Sequence, residues 1–204
     1  MAKLSLYYRI EVKNRFGRVK KRTRLKSCNS FVLQFLAMIG GAISHQFQVL
    51  GPVSNPAKDV DGNAIGYGMG SNAYAYSYFS VFAADNNDAY GIVVGSGTTP
   101  PTSSDYKLET KIAHGVGAGQ LDYGAHSLTV AAVVGSNVDL VISRTLYNGS
   151  GATVTIKEIG VYEYGDHPFL GGMKVAMLIR DVITPVEVEV GETVSVQYTL
   201  RTTV

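Results

Sequence analysis

The chain predicts an all-β fold: an antiparallel β-sandwich or jelly roll with a basic N-terminal arm and one short buried helix. Three observations carry this. Apolar residues alternate with polar ones in at least five segments, the period of a strand with one buried face. Clusters of Gly, Pro, Asn and Asp separate those segments at short intervals. The one stretch without alternation, Phe31–Ile39 (FVLQFLAMI), is interrupted only by Gln34 and is apolar nearly all round.

In order along the chain, Leu4–Val12 places Leu4, Leu6, Tyr8, Ile10 and Val12 on one face of a strand. Asn14-Arg15-Phe16-Gly17 is a turn, and Arg18–Leu25 is a return strand or an irregular basic arm. Ser27 or Asn29 is placed to cap the helix over Phe31–Ile39, which Gly40-Gly41 ends or interrupts. That helix is either a core helix or a contact between subunits, with Phe31, Phe35, Leu36 and Ile39 as the contact residues. Residues 51–70 are turn-rich, and Asp61-Gly62 reads as a hairpin turn. Asp59-Val60-Asp61-Gly62-Asn63 lacks the glycine and distal glutamate of a calcium loop. Tyr74, Tyr76 and Tyr78 share one face of a strand, as a half-buried face or as a surface for sugars, bases or protein. Asp85–Asp88 is a turn, Tyr90–Val94 a buried strand, Ser127–Val134 and Val175–Ile183 further strands.

The stretch Asp139–Glu163 reads as a hairpin around Gly149-Ser150-Gly151, with Leu146 opposite Val154. The apolar phase slips at Lys157-Glu158, which predicts a β-bulge. In this register Arg144 opposes Ile156 and Glu158 lies diagonally beyond, predicting a buried ion pair. Gly191-Glu192 predicts a type II′ hairpin turn before the last strand.

At 204 residues the chain is long enough to bury a core unaided. No run reaches the ~18–20 apolar residues of a membrane span, and residues 1–30 lack the order of a signal peptide, so an unprocessed, soluble chain is expected. The net charge of +2 conceals an asymmetry. Residues 1–26 carry +9 and the remainder −7. The expected division is therefore an arm and helix over residues 1–43 and a β-sandwich domain over 44–204. Arg15, Arg18, Lys20, Lys21, Arg22 and Arg24 are the electrostatic contact candidates, toward acidic protein surfaces or nucleic acid.

Catalytic patterns are missing from the sequence. His45, His114, His126 and His167 form no metal-ligand spacing, and no nucleophile, phosphate-loop or dinucleotide motif is present. Cys28 reads as a packing cysteine, and the sequon at Asn148-Gly149-Ser150 as turn chemistry. No cofactor, metal or small-molecule substrate is expected, and the reading is non-enzymatic.

The combination of Ile142-Ser-Arg-Thr-Leu-Tyr-Asn-Gly-Ser-Gly-Ala, Lys157-Glu-Ile-Gly-Val-Tyr, Leu178-Ile-Arg-Asp-Val and Gly191-Glu-Thr-Val-Ser-Val-Gln-Tyr resembles structural proteins of tailed-bacteriophage virions. Ile92-Val-Val-Gly-Ser-Gly-Thr-Thr and Asp105-Tyr-Lys-Leu-Glu extend the resemblance over about residues 90–204. It implies a non-enzymatic virion component, made in the host cytoplasm, whose partners are itself and other virion proteins. The arm lies outside the resemblance, and its charge alone points to acidic surfaces of neighbouring subunits or to the packaged nucleic acid. Two roles follow: a capsid, decoration or vertex subunit, or a tail or fibre module binding host glycan or protein through the tyrosine strand. The +9 arm favours the first.

Overall fold

The computed structural model describes residues 3–28, 31–44, 57–66, 79–167 and 172–203, with backbone alone for 41–44. Two antiparallel sheets pack face to face, so the fold is an all-β sandwich. The first comprises β1 (Lys3–Lys13), β2 (Val19–Arg22), β3 (Lys26–Cys28), β6 (Asp122–Val134), β7 (Asn137–Tyr147) and β10 (Thr193–Thr203). Its order is β2-β1-β10-β7-β6, with β3 also on β1. The second has β8 (Val154–His167) at its centre, β9 (Gly172–Val188) on one side, and β4 (Phe79–Ser80) and β5 (Gly91–Gly95) on the other. This order establishes a sandwich and does not show the jelly-roll winding expected as its variant.

The alternation in β1 does what its period requires. Leu6, Tyr8, Ile10 and Val12 are buried, and β1 pairs with β10 at every position from Lys3 to Lys13. The basic segment is therefore built into the sheet. Asn14 accepts N–H bonds from Phe16 and Arg18 at 3.0 Å and turns the chain into β2. A boundary at residue 43 does not separate the arm from the sandwich, because β1 and β10 share one sheet.

Helix α1 (Leu33–Ser44) runs on through Gly40 and Gly41 instead of ending there. Glycine weakens a helix by about 1 kcal/mol without stopping it. Ser27 lies in β3 and is not the cap. The Leu33 N–H is met instead by the Ser103 carbonyl at 2.9 Å. Asn29 lies outside the described residues.

The hairpin expected over Asp139–Glu163 does not form. β7 pairs with β10 and β6, whereas β8 pairs with β4, β5 and β9 in the other sheet. Residues 148–153 cross between sheets. The same holds at Gly191: β9 and β10 lie in different sheets, and the Glu192 N–H bonds to the Glu189 carbonyl at 3.0 Å. With Gly191 third in that turn at φ +81°, it is a type II turn, not type II′. Among the described residues the hairpins are β1–β2, through the turn at Asn14–Arg18, β6–β7, through the two-residue loop Gly135-Ser136, and β8–β9. The irregularity expected at Lys157 is present, with Ile183–Pro185 of β9 opposite that one residue. Pro185 sits where no ladder bond is needed.

Asn148 joins the two crossings. It is fully buried, and its Nδ2 donates to the carbonyls of Ala152 (2.8 Å) and Val188 (2.7 Å). Its backbone exchanges bonds with Glu192 and Gly191. This is the turn chemistry expected of the sequon, reaching further than one turn. Asn148→Ala should cost about 2–4 kcal/mol in urea denaturation, because two buried carbonyls lose their donor. Asn148→Asp should cost at least as much, having no N–H to offer. A loss within experimental error for either variant would remove Asn148 from this role.

Candidate assembly surface

The expected contact cations divide into two sets. Lys20 bonds to Glu189 (2.7 Å) and Glu192 (3.0 Å), and Arg22 pairs with Glu11, which also meets Lys13 at 3.3 Å. The Arg22 hydrogen bond holds the Glu11 carboxyl below its ordinary range. These cations fasten β2 to its own sandwich. Arg15, Arg18, Lys21 and Arg24 are exposed and form no ion pair with a described residue. Arg15 lies 4.9 Å from the Phe16 ring centre, and Phe16 is itself 72% exposed. Since β2 and β3 occupy the outer edge of β1, this basic set lies along one edge of the wide sheet.

The helix does not present the expected apolar contact face as a whole. Phe35 is buried, and Phe31 and Ile39 are half-buried against the chain's own core. Phe31 and Phe35 stack with ring centres 3.9 Å apart. Leu36 alone of the four faces out, at 66% exposed. Between helix and sheets lies an apolar cavity of about 190 Å³, lined by Phe31, Phe35, Met38, Leu140, Ile142 and Leu200. Tyr74, Tyr76 and Tyr78 lie outside the described residues.

Behind these surfaces the buried charges hold loops. Arg144 and Glu158 are both buried, as their pattern suggested, but they do not pair. They stand in different sheets because the hairpin that would have joined them does not exist. Arg144 donates Nε to the Gly124 carbonyl (2.7 Å) and its two terminal nitrogens to the carbonyls of Ala84, Asn87, Tyr90 and Ile92. Burial lowers its pKa to about 10, so it stays charged at neutral pH against carbonyl dipoles and the Tyr123 ring, 4.7 Å away. Glu158 does the converse. It accepts N–H bonds from Gly97 (3.1 Å), Glu109 (3.1 Å) and Thr110 (2.8 Å), and it pairs with Arg180 at 3.0 Å. Arg180 continues to Asp105 at 2.6 Å, at the wall of an open cleft of about 490 Å³ that Tyr106, Lys58 and Lys107 also line. The cleft's central cation is thus already neutralised from within.

Cys28 faces Asp181, which also accepts from the Tyr198 hydroxyl at 3.1 Å. Burial, then the nearby carboxylate, push the thiol far above its ordinary value. The basic segment does not lower it, and Cys28 is unreactive where it sits. His126 Nε2 accepts the Ile92 N–H, and Nδ1 faces the Ala83 carbonyl at 3.2 Å. A Cβ on Gly91, at φ +82°, would fall 2.1 Å from this ring, so the position demands glycine twice over. No spacing in the sequence pointed to His126, Tyr123 or Arg180; each is defined by loops that close over it.

Glu158→Leu and Arg180→Met, each alone, should cost about 3–5 kcal/mol by leaving a buried partner unpaired, and a double-mutant cycle should show strong coupling. Additive losses would mean the pair is solvated. His126 supplies a pH dependence. Burial first, then the Arg144 charge, lower its pKa from 6.5 to about 4. Between those values the unfolded chain binds a proton that the folded chain refuses, so stability falls as pH drops from 6.5 toward 4. The loss is about 3 kcal/mol, and His126→Gln should flatten that part of a denaturation-against-pH curve. An unchanged slope in the variant would count against it.

Compared with protein-family models, with curated proteins and with solved structures, the chain matches none.

Proposed function

We propose that the chain is a non-enzymatic structural subunit of a tailed-bacteriophage particle, a capsid, decoration or vertex protein that assembles through its basic edge and its sandwich edges. The observation that carries this is the row of cations, Arg15, Arg18, Lys21 and Arg24, that pair with no carboxylate among the described residues and lie along the β2–β3 edge of a body whose residues 27–204 carry −7. Like bodies meet with least repulsion when one offers a cationic edge to the other's acidic surface. The buried polar groups support the same role, since Arg144, Glu158 and His126 spend their bonds on the chain's own backbone. The virion resemblance of residues 90–204 adds the setting.

The sequence alone suggested neutralising Lys20 and Arg22 as well, but those two fasten β2 and should be kept. Changing Arg15, Arg18, Lys21 and Arg24 together to Gln should leave the melting midpoint within about 2 °C, these being exposed positions. Co-sedimentation with particles assembled without the chain should weaken at least tenfold, about 1.4 kcal/mol. A salt slope near −0.9 per neutralised phosphate would identify nucleic acid as the partner instead of protein. Undiminished co-sedimentation of the variant would overturn the reading.

A further inference from the structure

The inner face of the wide sheet becomes exposed toward one end of its strands. Three rows of its inner face can be followed through the strand register. The first is Leu128–Ile142–Tyr198–Tyr8, the second Leu140–Leu200–Leu6, and the third Val133–Val138–Thr202–Leu4. Exposure rises along the first row, from Tyr8 and Tyr198, both buried, to Leu128 at 48%. It rises again from row to row, reaching 49% at Leu4 and 78% at Val133. Residues 127–134 of β6 are all exposed, although His126 just before them is buried. The outcome is an exposed apolar tip on the β6–β7 hairpin: Leu128 at 48%, Val130 at 80% and Val133 at 78% toward one face, with Val134 at 52% on the other.

This tip is not suited to adding a strand along its edge. β6 has two register shifts against β7, at residues 124–125 and 130–131, and bulges turn an edge away from further pairing. What it offers is side chains. Most are β-branched valines on a hairpin closed by Gly135-Ser136, where Gly135 takes the positive φ of +62° that a two-residue loop requires. Such side chains have little freedom to lose on contact.

We propose that the β6–β7 tip is a homotypic contact, in which two copies of this chain bring their Leu128, Val130 and Val133 faces together about a twofold axis. Charge selects the occupant. A twofold contact sets each charge near its own copy, so it forms where the surface is neutral. Residues 127–138 contain no charged side chain, and Asp139 beyond them is held by Arg201 at 2.6 Å. Area agrees. On the same face the exposed Leu128, Val130 and Val133 continue through half-buried Leu140 and Val138 to Leu4 at 49%, a patch on the order of the 300–600 Å² that is the largest on a typical monomer. Two such patches with their polar rims approach the roughly 1,000 Å² at which a specific interface begins. The contact deepens the proposed assembly role by naming the partner of one sandwich edge, and it is measurable without a particle.

Sedimentation velocity of the full chain in about 0.5 M salt, which screens the basic edge, should show a dimer forming in the micromolar range. Val130→Lys with Val133→Lys should weaken it at least tenfold, with the melting midpoint unchanged. Val130→Thr with Val133→Thr, which keeps the shape and β-propensity, should weaken it in the same sense. Val133→Cys should cross-link to itself on oxidation, because Cys28, the chain's own cysteine, is only 5% exposed. A chain that stays monomeric at high concentration overturns the proposal, as does a dimer that both tip variants leave intact. The basic-edge variant separates the two ideas. If it fails to bind particles yet still dimerises, both readings stand. If dimerisation depends on that edge and not on the tip, the tip proposal falls alone.

Discussion

The guanidinium of Arg144 lies in the interior with only 1% of the residue exposed, and carbonyl oxygens of residues 84–92 and Gly124 surround it. Removing such an ion from water costs several kcal/mol even after relaxation. Hydrogen bonds to a charged group contribute about 1.5–3 kcal/mol each, so several together offset the burial. The bonds exist only while the chain before β5 is wrapped around the cation. Arg144 therefore sets the course of that loop, and the loop delivers β5 to β8, where all five residues of β5 are buried. Glu158 performs the reciprocal task with N–H groups of Gly97, Glu109 and Thr110 on the other side of β5. One short strand is thus fixed at both ends by charges of opposite sign, each solvated by backbone dipoles.

This arrangement explains why the charged interior does not resemble an active site. A catalytic group keeps a bond free for substrate or holds a pKa near the working pH. Arg144 remains charged at neutrality, and His126 remains neutral, pressed between its two backbone partners and the Arg144 charge. Cys28 is held protonated by burial and Asp181. Each of the three is held in one protonation state at neutral pH by its surroundings.

The period-two signal was legible, and it gave the strands, the buried face of β1 and the irregularity at Lys157. It could not report which sheet a strand joins. Gly149-Ser150-Gly151 and Gly135-Ser136 both look like hairpin loops, and a glycine serves a sheet-to-sheet crossing as well as a hairpin. Only the strand ends of the fold tell them apart: two residues part β6 from β7, whereas six part β7 from β8. The false hairpin then carried a false pairing of Arg144 with Glu158, although both were correctly placed in the interior. Helix α1 was legible from Phe31–Ile39, but which of its apolar residues face outward depends on β9 packing against it. The basic run was visible in composition alone, yet only the fold separates Lys20 and Arg22 from the cations left at the edge.

The two open edges of the wide sheet are chemically unlike, and that difference bears on how copies can associate. The β2–β3 edge is cationic, so contacts there weaken as salt screens them. The β6 tip is neutral and apolar, so contacts there strengthen with excluded salts such as sulfate and weaken on cooling. A subunit with both kinds on opposite edges has no reason to join unlike edges to one another: the cationic edge gains nothing from an apolar tip, and the tip would lose by desolvating lysines. In the proposed assembly the cationic edge would therefore meet acidic surface and the tip its own kind. A tip-to-tip dimer would leave its two cationic edges outward, so growth beyond it would run through the electrostatic contact, with the apolar contact as the unit and the charged contact as the link between units.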